Sequence, residues 1–282
     1  MSRQDILALR KELSALKKEV HAVRVAMGTG GASMAEVLRR RGISIARSNS
    51  TDDLLFPPRL SVRMVQRLYD LLKKYSFRLF LRDVLVHRNH IAVRELTRFC
   101  SPQRAGEYLE ILRQARIVND GGGRKYRLVK DLQSFGPTLE WFVAQVFERE
   151  FSSPAMWGVR LLDMAPGGDY DVLTLVEGEL LYVEVKSSPP KHIEQREIAA
   201  FLDRVRELIP NAALFFVDTE LRMKDKIVVM FEAEFRRRGS TARPRRVVDE
   251  LFLCDDRMFL LNSRPGIVSS LGRCLRHWLG NR

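Results

Sequence analysis

Two short apolar runs separated by a glycine turn constrain this chain more than any other stretch. Asp171-Val172-Leu173-Thr174-Leu175-Val176 and Leu180-Leu181-Tyr182-Val183-Glu184-Val185-Lys186 flank Gly178. Their β-branched and apolar content predicts two antiparallel strands joined by a tight turn. Side chains alternate along a strand, so Glu184 and Lys186 emerge on one face while Val185 points to the other. Asp171 opens the first strand after Gly167-Gly168 and can approach the same spot. Two carboxylates and an ammonium at the end of a greasy hairpin cost free energy unless they bind something. A divalent metal held by the acids, with Lys186 beside its bound water, is the natural candidate.

The surroundings of this hairpin extend the pattern. An apolar helix with Glu140 on it is expected over Thr138 to Phe147, and Gly158 to Leu162 reads as a first strand. After Lys186 come Ser187-Ser188-Pro189-Pro190, a helix from His192 to Leu208, and a buried strand at Ala213 to Val217, which together suit a βαβ crossover. The order acidic helix, strand, Gly-Gly-Asp-Tyr-Asp-Val, hairpin, Glu184-Val185-Lys186 resembles the signature of the PD-(D/E)XK nuclease superfamily. That fold is shared by many restriction endonucleases and archaeal-type Holliday-junction resolvases. Tyr170 stands where the family motif carries proline.

The resemblance implies an α/β domain over residues 134–282, with a mixed central sheet flanked by helices, that hydrolyses phosphodiester bonds in DNA. It implies Glu140, Asp171, Glu184 and Lys186 as catalytic residues. Magnesium or manganese would be the cofactor, held by Asp171, Glu184 and the main-chain carbonyl of Val185, since hard cations prefer oxygen ligands. Lys186 would hydrogen-bond the attacking water or offset charge building at phosphorus, and Glu140 would orient that lysine or ligate a second metal. Arg196, on an early turn of the following helix, resembles positions from which family members reach substrate phosphate.

Ahead of this domain, residues 59–133 resemble a winged helix-turn-helix. Helical signals fill 60–87, and a short helix is expected at Ala92 to Phe99. Ser101-Pro102 then caps the helix that the resemblance would present to a DNA groove. Gln103 and Arg104 sit on its first turn, while Arg124, Lys125 and Arg127 fall on a glycine-tipped wing. Glu107 and Glu110 share the helix, so a protein contact is the alternative role for this unit. Residues 28–58 are expected to be a turn-rich linker with one short helix.

Residues 1–27 carry the cleanest helical period. Ile6, Leu9, Leu13, Leu16, Val20, Val23 and Met27 alternate three and four apart, with acids at g and bases at e. That register predicts a parallel coiled-coil homodimer.

The net charge of +13 raises the expectation of a polyanionic partner, and Arg236-Arg237-Arg238 is the densest part of it. A chain 45% hydrophobic and 29% charged is not a disordered one. Cys100, Cys254 and Cys274 lie far apart, which argues for reduced thiols and against a zinc site or disulfide framework. No signal-peptide or membrane-length apolar run is evident, so the cytoplasm or nucleoid is expected. Two other functions remain open at this level: a DNA-binding regulator or scaffold whose nuclease-like domain does not cut, and an RNA nuclease.

Overall fold

The computed structural model describes Glu12, Glu19 and residues 32–281 apart from residues 124, 163 and 166. The expected coiled coil therefore lies outside the described residues except at those two glutamates, and so does Arg124. Among the described residues, eight strands form one mixed sheet. They are β1 Ile45–Arg47, β4 Ala155–Leu161, β5 Tyr170–Val176, β6 Glu179–Lys186, β7 Ala212–Val217, β8 Arg245–Val248, β9 Leu251–Asp255 and β10 Met258–Asn262. Their order across the sheet is β1-β4-β5-β6-β7-β10-β9-β8. The contacts β6–β7 and β7–β10 are parallel and the others antiparallel, so the α/β class with a mixed central sheet holds.

Strand alternation divides the interior into two layers. Leu181, Val183 and Val185 of β6, with Leu214 and Phe216 of β7, face one core. Leu180 and Tyr182, with Ala213 and Phe215, face the other. The first core is covered by α5 (Gly136–Glu150), α8 (Ile267–Leu279) and a block made of α2 (Val62–Leu72), α3 (Tyr75–Val86) and α4 (Pro102–Gln114). The second is covered by α1 (Met34–Arg40), α6 (Gln195–Leu208) and α7 (Val229–Arg237). Among the described residues, no helix is long and apolar enough to cross a membrane.

Residues 59–133 hold α2, α3, a 3₁₀ turn at Val93–Leu96, α4, and a hairpin of β2 (Val118–Gly122) with β3 (Lys125–Leu128). Ser101 accepts a hydrogen bond from the Arg104 N–H, and Pro102 follows it, as expected of a helix start. This block shares its hydrophobic core with α5 and the sheet.

The stretch expected to be a linker is more structured than its turn-rich composition suggests. It supplies α1, closed by a Ser33–Glu36 capping box, and β1, which pairs antiparallel with β4 at the sheet edge. Leu54, Leu55 and Phe56 are buried. A three-residue strand is too short to display an alternation that sequence can reveal, and only its partner β4 defines it.

Candidate active site

The site lies where β5 and β6 run side by side. Their turn places Glu177 and Gly178 at φ 52° and 82°, the two positive values that a two-residue type I′ hairpin needs. That turn sets the register Val176↔Glu179 through Val172↔Val183, and so brings Asp171 beside the end of β6. The Asp171 carboxylate accepts the Val185 N–H at 2.7 Å. Glu184 and Lys186 share the face of Tyr182, while Val185 belongs to the opposite core.

Glu184 is only 2% exposed and is surrounded by donors. The Tyr182 hydroxyl donates to Oε2. Lys186 Nζ stands 2.9 Å from Oε1, and Arg204 Nη1 reaches the two oxygens at 3.3 and 3.1 Å. Lys186 Nζ also pairs with Glu197 at 2.9 Å. Burial by itself would lower the lysine, but Glu184 and Glu197 outweigh it and hold the ammonium above its usual range. Burial likewise opposes the Arg204 charge, and its acidic and phenolic neighbours again raise it. Gly168, at φ 81°, lets the backbone pass this guanidinium. A Cβ there would stand 2.8 Å from Arg204 Nη2.

Glu140 arrives from α5, whose Leu139, Phe142, Val143, Val146 and Phe147 are buried in the first core. Its carboxyl lies near Gly136 and Gly158, where added Cβ atoms would be 3.7 and 3.9 Å away. Burial, then the charges of Glu184 and Asp169, push Glu140 up to about 7. Asp171 is raised for the same reasons, burial first and then Glu184 and Glu140, against the pull of the Val185 N–H. Three carboxyl groups therefore repel one another at one end of the sheet, with Lys186 and Arg204 offsetting part of that charge.

The donors suit a hard divalent cation in kind, being carboxylate and carbonyl oxygens. Asp171 and Glu184 with the Val185 carbonyl make two side chains and one main-chain group. Among the described residues, no three His, Cys, Asp or Glu side chains are grouped to hold a metal ion. A cation here would relieve the repulsion between the acids, and Glu184 would have to share its oxygens with Lys186 and Arg204.

Three members of this cluster are not among the expected site residues: Tyr182, which lies inside the hairpin itself, and Glu197 and Arg204, which lie outside it. A signal for the last two exists: they are seven residues apart, two turns along one face of α6, and the buried Ile198, Phe201 and Leu202 lie between them.

The expected nucleic-acid contacts fall elsewhere and apart. Gln103 and Arg104 on α4 both bond Glu107, at 3.3 and 2.7 Å. Lys125 and Arg127 are exposed on β3. Arg196 pairs with Glu194 at 2.8 Å. Arg236 is exposed, but Arg237 and Arg238 pair with buried Glu234 at 2.6 and 2.7 Å and hold its carboxyl down to about 2. Since α4 belongs to the first core and α7 to the second, these bases lie against opposite faces of the sheet.

No family model matches the sequence, and no curated protein matches it. Among solved structures, Can2 from Sulfobacillus thermosulfidooxidans in complex with cyclic tetra-adenylate aligns at 14% identity and TM-score 0.48, over 87% of this chain and 61% of that one. Protein VC1899 from Vibrio cholerae aligns at 15% identity and TM-score 0.50, over 89% of this chain and 62% of that one. The chain thus spans about three fifths of the length of these two structures, and with VC1899 it shares a fold.

Proposed function

We propose that this protein is a metal-dependent nuclease that hydrolyses phosphodiester bonds in DNA. The observation that carries the reading is the convergence of Glu140, Asp171 and Glu184 with Lys186 at the end of two central strands, with Glu140 and Asp171 raised by burial and by their acidic neighbours. Groups perturbed in this way by a specific charge constellation are characteristic of functional sites. Asp171, Glu184 and the Val185 carbonyl would hold magnesium or manganese, which when bound lowers the pKa of a coordinated water and polarises the phosphoryl oxygens.

The side chains then divide the remaining work. Lys186 stays protonated at neutral pH, so it donates to the phosphoryl oxygens and stabilises the charge that develops there. It does not act as a base. Glu140, pushed up to about 7 in the metal-free site, would accept a proton from water as the water oxygen attacks phosphorus and the P–O bond to the leaving oxygen breaks. Glu197 and Arg204 keep Lys186 and Glu184 in place from α6. In this reading residues 59–133 act as a winged helix-turn-helix that adds DNA affinity, and the protein works as a homodimer in the cytoplasm or on the nucleoid. The basic residues on α4, the β2–β3 hairpin, Arg196 and Arg236 to Arg238 would be phosphate contacts.

The second reading, a DNA-binding regulator that does not cut, draws on one feature. Glu184 already has three protein donors, an arrangement complete without a metal. The test is purified protein with magnesium or manganese against circular, linear, single-stranded and branched DNA, and against RNA. Asp171→Asn and Glu184→Gln are expected to abolish cleavage and to weaken magnesium binding by calorimetry. Lys186→Ala is expected to lower cleavage by about 100-fold or more. It should leave magnesium binding intact or tighter, since it frees an oxygen of Glu184. A wild-type protein that cuts nothing with either metal, or a Lys186→Ala variant that cuts normally, overturns the nuclease reading in favour of the regulator.

A further inference from the structure

An open groove of about 710 Å³ is lined by segments that adjoin the residues of the acidic cluster along the chain. On one side run Ser187 and Ser188, the two residues that follow Lys186. On another run Gln133 and Ser134, which lead into α5 two residues before Gly136 and so towards Glu140. The third wall is the end of α3 and the loop after it, carrying Arg82, His87, Arg88 and His90. Among the described residues of the lining, the one carboxylate is Glu95, 4.0 Å from His87.

Arg82 forms part of the boundary between groove and core. One edge of its guanidinium is bonded to the buried Asp218, whose own N–H donates to the Lys186 carbonyl at 2.8 Å. Its Nε is buried and has no partner among the described residues. Arg88, about a third exposed, is tied to the neutral amide oxygen of Gln133 at 2.8 Å and to Asp131 at 3.6 Å. His90 is exposed. An imidazole donates one N–H when neutral and two when charged, and the serine hydroxyls donate as well. Phosphodiester oxygens accept hydrogen bonds and carry charge, so a wall of this composition suits them. Arg104 on α4 and Arg237 and Arg238 on α7 would have to share their donors with Glu107 and Glu234.

We propose that this groove binds one phosphodiester strand and leads it to Lys186, with Arg88 and His90 as its outer phosphate contacts and Arg82 at its inner end. The proposal rests on the nuclease reading for what happens at Lys186, but strand binding can be measured without any cleavage. The experiment is fluorescence anisotropy of labelled single-stranded DNA, duplex DNA and single-stranded RNA on the full chain in EDTA, over a series of salt concentrations. Arg82 is left intact because its buried ion pair supports the fold.

Arg88→Glu is expected to weaken binding roughly tenfold at low salt. Arg88→Gln should flatten the dependence of log K on log salt, by about 0.7 on a single strand or about 0.9 on a duplex for the phosphate no longer neutralised, and His90→Ala should lower affinity. Arg206→Ala, an exposed arginine on α6 paired with Asp203, serves as the control and should leave both affinity and slope unchanged. Melting curves that match wild type establish that the variants are folded. Wild-type affinity and slope in Arg88→Glu overturn the proposal. If the groove variants lose binding while wild-type protein cuts nothing with either metal, the groove stands and the nuclease reading falls. A larger loss on RNA than on DNA assigns the groove to an RNA strand.

Discussion

Glu140 shows how a single side chain can oppose the fold that holds it. Its carboxyl belongs near 4.5 and is pushed up to about 7 by burial and by Glu184 and Asp169. Between those two values the folded protein keeps a proton that the unfolded chain has released, so stability falls as pH rises through that window. Above about pH 7 the full penalty of an ionised, crowded acid is present. Glu140→Gln should therefore stabilise the metal-free protein at pH 8, by up to about 3 kcal/mol at 1.36 kcal/mol per unit, and by less if solvent screens the half-buried group. The gain should shrink to roughly 0.4 kcal/mol at pH 4.5, where the glutamic acid is neutral in the folded state and half ionised in the unfolded chain. Urea melts at the two pH values in EDTA check this. An equal effect at both would mean that the variant acts through packing and not through charge.

At the scale of elements, a buried ion pair ties α3 to the sheet. Arg78 is fully buried, and its Nε and Nη2 reach the Asp218 carboxylate at 2.8 to 3.0 Å, just beyond the end of β7. Arg82 and the Ser263 hydroxyl bond the same carboxylate. Burial alone would raise Asp218, but the two arginines hold it below its ordinary value. Asp218→Ala leaves a buried guanidinium without a counter-charge and should cost about 3–5 kcal/mol in urea unfolding. The double variant Arg78→Met with Asp218→Leu should recover much of that loss, because replacing a buried pair by apolar groups is often near neutral. Full recovery would mark the pair as a device for orientation: it fixes α3, and with it the groove wall, against the strand end that carries Lys186. An exposed hydrogen-bonded tie joins the ends of α1 and α6, where Arg41 donates to the Ile209 and Leu208 carbonyls at 2.7 and 3.3 Å.

For the whole molecule, the pattern at residues 1–27 predicts assembly. With acids at g and bases at e, two parallel copies would bring opposite charges together across the seam. Deleting residues 2–27 should halve the mass measured by light scattering while leaving the melting transition of the core in place. An unchanged mass would count against the coiled coil and assign the segment to an intramolecular helix. A dimer would also place two sites on one substrate, so the deletion should reduce paired cuts on a duplex more than single nicks.

What the sequence by itself determined is what repeats over a few residues. A period of two assigned Glu184 and Lys186 to one face of β6 and Val185 to the other, and the Glu177-Gly178 turn set the register that brings Asp171 alongside. Ser101-Pro102 marked the start of α4, and the pairing of Arg237 and Arg238 with Glu234 follows from helical spacing of three and four. Only the tertiary structure decided the contacts that join distant segments. Arg204 meets Glu184 across 20 residues, Arg78 meets Asp218 across 140, and β1 finds the edge of β4. No local period encodes such partners. Each is chosen because a charge or a strand edge taken out of water has to be satisfied by whatever the packing of the two cores brings beside it.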